Sequence, residues 1–272
     1  MSTQREFEFT FAHFDALRKQ AHNYSGINFT DDKLEMFYAR LAKRLRKLGI
    51  TSFSEYVKRV KQDQAEFSEF VNAVTTNITA FEREPHHFAH LKEQMKTFKK
   101  STVNIWSAGC STGQEPYTIL VNILPFCRQK RIEVKVLASD LDTDVLSKAQ
   151  AGIYKVKDVE MYGQAVKKQF FRKGIGPKEG FCMVKPVLSE CIEFRQLNLF
   201  YPWKLDRKFD FIFCRNVLIY FEQKKKLEII DRFASNLVPN GILFLGHSEL
   251  IPRDDPRWKN IGTNMYQLTG AG

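Results

Sequence analysis

The chain has no long apolar run, and no segment approaches the ~20 consecutive apolar residues that a membrane-spanning helix needs. Its first residues, MSTQREFEFT, lack the apolar core of a secretory signal, so a soluble, unprocessed protein is expected. Cysteine is sparse. Cys110, Cys127, Cys182, Cys191 and Cys214 are odd in number and include no C-x-x-C pair, which argues against a structural zinc site or redox dithiol and fits a reducing cytoplasm. No metal is expected. Acidic residues are outnumbered, 31 against 42 Lys and Arg, for a formal net charge of +11. That balance favours an acidic partner: nucleic acid, an anionic membrane surface or an acidic protein face. Repeats and low-complexity segments are absent, and 272 residues suffice for a substantial core.

Two patterns divide the chain. Up to about residue 90 the periodicity is helical: Leu34, Tyr38, Leu41, Leu45 and Leu48 recur at helical spacing, with Gly49 as a stop. Ser52 and Glu55 have capping-box spacing ahead of Tyr56, Val57 and Val60, and Phe67, Phe70, Val71 and Val74 mark a further helix. A helical domain over 1–90 is expected. Over 91–272 short apolar runs (VNIW, VKVLAS, IEFRQL, FDFIFC, GILFLG) alternate with helical stretches near Glu115 to Cys127, Thr143 to Gln150 and Glu222 to Leu237. This is the rhythm of an α/β domain with a mainly parallel sheet. It breaks near 153–190, where RKGIGPKEGFCMVKP suggests a hairpin-bearing β-subdomain inserted in that fold.

One stretch allows two chemistries. In WSAGCSTGQEP, Gly109, Ser111 and Gly113 fit the G-x-S-x-G pattern of serine hydrolases, and Asp210 and His247 follow in the order of a triad. No HGGG-type oxyanion segment precedes Ser111, and His247 also reads as an ordinary strand-end residue. The rival reading begins from open α/β sheets, which bind ligands beyond the carboxyl ends of their strands. Polar residues cluster at three such ends: Asp140 after VKVLAS, Asn198 with Leu199 after IEFRQL, and Arg215 with Asn216 after FDFIFC. Asp140 could cap a helix or accept both hydroxyls of a ribose. The glycine loop is neither G-x-G-x-x-G nor a P-loop, so it lacks the expected cradle for a pyrophosphate. S-adenosylmethionine needs no such cradle.

The series TTNITAFERE (Thr75 to Glu84), WSAGCSTGQEPYTI, ASDLDTDVL, FRQLNL, FCRNVLIYF and GILFLGHSE resembles, in order and over nearly the whole chain, the chemotaxis receptor glutamate methyltransferases, the CheR family. The resemblance implies a Rossmann-like S-adenosylmethionine-dependent methyltransferase sheet with an N-terminal helical domain and a small inserted β-subdomain. It implies methyl transfer to glutamates of methyl-accepting chemotaxis receptors, giving γ-methyl esters and S-adenosylhomocysteine, by a cytoplasmic monomer that neither binds nucleic acid nor inserts in the membrane. Asn77, Thr79, Arg83, Gly109, Glu115, Asp140, Asn198, Leu199, Arg215 and Asn216 are then expected at the cofactor, and Arg83 and Tyr220 at the reacting carboxylate. Some family members bind a receptor tether peptide on the β-subdomain. The family usually carries two aromatics before the arginine of its first motif, whereas here Glu82 follows Phe81, a carboxylate that could repel an acidic substrate.

A last expectation joins the resemblance to charge. Lys33, Arg40, Arg44 and Lys47 fall on one stripe of a helix whose other stripe carries Leu34, Leu41, Leu45 and Leu48. With glutamate-bearing helical bundles as substrate, Arg40, Arg44 and Lys47 are expected to bind the receptor rather than merely face solvent.

Overall fold

The protein is described here by a computed structural model covering residues 5–269. The chain forms two compact units, one extending to Thr76 and including Tyr220–Glu222, the other built from Asn77–Ile219 and the chain from Gln223 onward.

The first unit packs α1 (Phe11–Ser25), α2 (Leu34–Leu48), α3 (Phe53–Gln62) and α4 (Gln64–Val74) around Phe14, Leu17, Phe37, Leu41, Leu45, Phe53, Tyr56 and Phe70, all buried. Local chemistry starts these helices: Ser52 Oγ accepts the Glu55 N–H at 3.2 Å, and Asp63 Oδ1 accepts those of Ala65 and Glu66, both at 3.0 Å. The sequence pattern does not single out α1, whose inward face is carried by few large residues. The unit ends at Thr76 rather than near residue 90. The reason is packing: Phe88, Leu91 and Met95 of α5 (Pro85–Thr97) belong to the same buried cluster as Ile105, Ile119 and Ile123 of the second unit.

In the second unit α5 is followed by β1 (Thr102–Ala108), α6 (Gln114–Gln129), β2 (Glu133–Asp140) and α7 (Thr143–Ala151). Next come β3 (Ile153–Lys155), α8 (Gln164–Phe170), β4 (Phe171–Lys173), β5 (Phe181–Val184) and the short α9 (Pro186–Ser189). The chain returns through β6 (Ile192–Gln196), β7 (Phe209–Cys214), α10 (Gln223–Asn236), β8 (Leu237–Leu245), β9 (Trp258–Gly262) and β10 (Met265–Leu268). Seven strands form one sheet in the order β6-β2-β1-β7-β8-β10-β9, and β3-β5-β4 form a small antiparallel sheet within the segment expected to interrupt the rhythm. β1 runs parallel to β2 and to β7, so the strand order reverses between β1 and β7. That reversal opens a crevice at the carboxyl ends of the strands. β10 is antiparallel to both β8 and β9, a closing hairpin that the apolar runs do not announce.

Candidate cofactor and active site

The loop after β1 is shaped for close approach. Gly109 has φ +84°, and a Cβ there would meet Val217 Cγ2 at 2.4 Å, so a side chain is excluded both by conformation and by the packed β7 loop. The Gly109 and Cys110 amides donate to the Ser139 carbonyl at 2.8 and 2.9 Å, laying the turn across the end of β2. Ser111 is buried with φ +49°, and its hydroxyl donates to the Asn77 carbonyl at 3.0 Å. Asp210 sits near the start of β7, at the amino end of a central strand and so at the end of the sheet opposite the glycine loop, where it accepts from Lys100 Nζ at 2.6 Å and the Asn104 N–H at 2.9 Å. The hydrolase triad is therefore not assembled.

Asp140 ends β2. Its Oδ2 accepts the Ser111 N–H at 2.8 Å and its Oδ1 the Asp142 N–H at 3.0 Å, which aims the carboxylate along the glycine turn. Burial pushes its pKa up to about 6 against the pull of these amides. The Asp140 carbonyl accepts the Leu197 N–H at 3.0 Å, bringing Asn198 and the buried Leu199 to the same edge; Asn198 Oδ1 accepts the Phe200 N–H at 3.0 Å. Asn77 Nδ2 donates to Asp142 Oδ2 at 2.6 Å, fastening the loop that carries Thr79 and Arg83 beside the same strand end.

Across the crevice, Glu115 in the first turn of α6 accepts Ser107 Oγ at 2.7 Å and Arg215 Nη1 at 3.1 Å. Burial outweighs both partners and raises the Glu115 pKa. Arg215, 6% exposed, also donates to the Arg83 carbonyl, lies 3.5 Å from Glu84 Oε2 and stacks its guanidinium 5.3 Å from the Phe88 ring centroid. Arg83 Nη1 donates to the Ile78 carbonyl at 3.0 Å, and left-handed Glu82 (φ +53°) and Glu84 (φ +54°) flank it. Glu82 is no free carboxylate at the substrate: its Oε1 accepts Asn122 Nδ2 at 2.8 Å. Glu84, His86 and His87 bring potential ligand atoms within 4.8 Å of one another, but the Arg215 cation beside Glu84 opposes a metal there.

Arg83, Gly109, Glu115, Asp140, Arg215 and Asn216 are thus linked within the second unit by direct bonds or packing. Tyr220 groups with the helical unit, where its carbonyl accepts the Asn28 N–H at 2.8 Å. The free basic stripe on α2 is not what the structure shows. Arg44, with its side chain 13% exposed, is held by Glu66 and Glu69, and Arg40 Nη1 donates to the Val74 carbonyl at 3.1 Å, leaving Lys47 exposed. Helix periodicity alone cannot see these partners, which come from α4. Sequence reasoning also passed over Ser107, Glu84 and Asp142. The only signal for them was position, since each lies within a few residues of a strand or helix end that carries a recognised group.

Among the described residues the buried Asn216 Oδ1 has no hydrogen-bond partner, and Glu115 is ion-paired with Arg215. Residues 77–267 match the family model described as CheR methyltransferase, SAM binding domain, which makes the protein an S-adenosylmethionine-dependent methyltransferase. Residues 12–75 match that described as CheR methyltransferase, all-alpha domain, and the chain belongs to the CheR family. It is 37% identical over 265 residues to chemotaxis protein methyltransferase 2 of Pseudomonas aeruginosa, covering 96% of this chain and 95% of that one. Identity to the chemotaxis protein methyltransferase of Escherichia coli is 38% over 261 residues (95% and 91% covered), and to that of Salmonella typhimurium 40% over 261 residues (95% and 90%).

Proposed function

We propose that the protein methylates glutamate side chains of methyl-accepting chemotaxis receptors, forming γ-methyl esters and releasing S-adenosylhomocysteine. The observation that carries this reading is the coupling of Arg83 to the cofactor side: the Arg83 carbonyl is gripped by Arg215, which is itself ion-paired with Glu115. A substrate carboxylate drawn to Arg83 would be delivered to the crevice edge.

Bound S-adenosylmethionine supplies an electrophilic methyl group whose bonding electrons return to sulfur as the oxygen–carbon bond forms. Glutamate, with an ordinary pKa of about 4.3, is already ionised near neutrality and needs no base. The protein's task is alignment and exclusion of water. Asp140 would accept from the ribose and Glu115 from the amino group, and Asn77, Thr79, Asn198, Leu199 and Asn216 would complete the cofactor contacts. Arg83 would orient the carboxylate. Pairing with the attacking oxygen itself must stay loose, because a tight pair stabilises the ground state more than the transition state. On α2, Lys43 and Lys47 are exposed, whereas the exposed Arg46 is paired with Glu6 and Arg40 donates to α4, so these two lysines would meet an acidic bundle.

Incubation with tritiated S-adenosylmethionine and receptor-bearing membranes tests the proposal. Label in receptor protein that alkali releases as methanol supports it. Base-stable label, or label in nucleic acid, sinks it.

A further inference from the structure

Glu249 has no place in the chemistry above, yet its side chain is among the most heavily bonded in the second unit. It is 4% exposed, and among the described residues it forms no ion pair. Its carboxylate instead accepts backbone amides: Asn216 N at 2.9 Å and Gly246 N at 2.5 Å on Oε2, Val217 N at 2.8 Å and Ile219 N at 3.2 Å on Oε1. Burying a carboxylate without a cation is costly, and a leucine would fill the same space without that cost. What a leucine could not do is satisfy four amides. The Asn216, Val217 and Ile219 amides need a partner because the chain leaves β7 in a tight turn, with Asn216 at φ +60°, and loses its strand neighbours there, while Gly246 lies just past the end of β8.

The turn so held is the one that faces the cofactor side. It carries Arg215 and Asn216, and its Val217 packs under Gly109, where the space for a Cβ is already taken. Its other flank is equally close. A Cβ on Gly246 would lie 2.5 Å from Asn216 N and 2.8 Å from Glu249 Oε2. Glu249 is anchored in turn, since Asn264 Nδ2 donates to its carbonyl at 2.6 Å and to that of Gly246 at 3.0 Å.

We propose that Glu249 is a positioning residue for methyl transfer, the internal acceptor that sets the backbone of the 215–219 turn against the glycine loop. This rests on the reading that Arg215 and Asn216 face the cofactor. Geometry makes the role specific to glutamate: glutamine would turn an NH2 donor toward amide donors, and aspartate falls one methylene short.

Glu249→Gln is expected to raise the dissociation constant for S-adenosylhomocysteine at least tenfold and the KM for S-adenosylmethionine in proportion, with the receptor KM changed less than twofold; Glu249→Asp should not rescue. Hydrogen exchange should quicken at the Asn216, Val217 and Ile219 amides while those of Ile105 and Val136 in β1 and β2 keep wild-type protection. A folded variant with wild-type affinity overturns the proposal, whether or not exchange changes. Asn216→Ala then separates the causes: if that variant also keeps full affinity, the assignment of the turn to the cofactor has failed, and if it loses affinity, only the role of Glu249 has. Should the variants not fold, wild-type protein carries the test, because saturating S-adenosylhomocysteine must slow exchange at the same three amides, and unchanged rates overturn the idea.

Discussion

Asp140 Oδ2 accepts the Ser111 N–H at 2.8 Å, so the acid at the end of β2 and the glycine loop after β1 hold each other in place before any ligand arrives. One carboxylate therefore shapes the loop and still has lone pairs for a ribose.

Asp140→Ala removes the loop contact and, with it, the proposed ribose contact. Loss of two hydrogen bonds to a charged acceptor should weaken S-adenosylhomocysteine binding by ~2 to 4 kcal/mol, read by titration calorimetry. A folded variant with unchanged affinity would take Asp140 out of the site.

Burial raises the Asp140 pKa to about 6, so a proton competes with the ribose for the same oxygens. Affinity should be flat from neutral pH down to about 6 and then fall, by up to tenfold per pH unit, whereas Asp140→Asn should be weak and free of this step. For the fold the sign is opposite. A carboxyl whose pKa is raised on folding favours the folded state most below its unfolded value near 3.8, and that contribution is lost as pH rises through about 6. Calorimetry across pH 5 to 8 on both proteins checks the first statement, and parallel step-free curves would refute it.

Ser111→Ala should keep most transferase activity, since its hydroxyl only donates to the Asn77 carbonyl. Gly109→Val should lose it, because the new side chain would collide with Val217 on a left-handed backbone. A drop of more than about a thousandfold in the alanine variant would reinstate Ser111 as a nucleophile.

In the helical unit Glu66, 3% exposed, accepts Arg44 Nη2 at 2.6 Å and the Tyr56 hydroxyl at 2.9 Å. Glu66→Ala leaves a mostly buried guanidinium with only Glu69 and should cost about 3 to 5 kcal/mol of stability. Urea unfolding followed by circular dichroism measures it; a shift below about 1 kcal/mol would show that the pair is solvated.

Because Arg44 is structural, charge reversal there would unfold the helices rather than report on docking. Lys43→Glu with Lys47→Glu is the cleaner change. It should raise the receptor KM several-fold at low salt, converge on wild type as salt screens the attraction over ~8 to 10 Å, and leave S-adenosylhomocysteine affinity unchanged. Equal receptor kinetics at low salt would assign these lysines to solubility.

The sequence by itself determined strands β1, β2, β6, β7 and β8, most of the helices, the ordered motifs and the strand-end polar residues, because periodicity, caps and turn glycines act over a few residues. VNIW and FDFIFC could hardly be anything but buried strands, and GCSTG had to turn. Pairing across the chain was decided only by tertiary structure. Ser111 and Asn77 are 34 residues apart, Arg44 and Glu66 22, and Glu249 and Asn216 33, and nothing local to either partner names the other. The same limit placed α5 in the second unit, since an amphipathic face shows that a helix is buried without showing against what. A serine in a hydrolase-like pattern became a loop fastener, an arginine in a basic stripe became half of a largely buried pair, and a glutamate in GHSE became the acceptor for four amides. In each case the deciding term was the desolvation of a polar group that only the folded chain could supply with a partner.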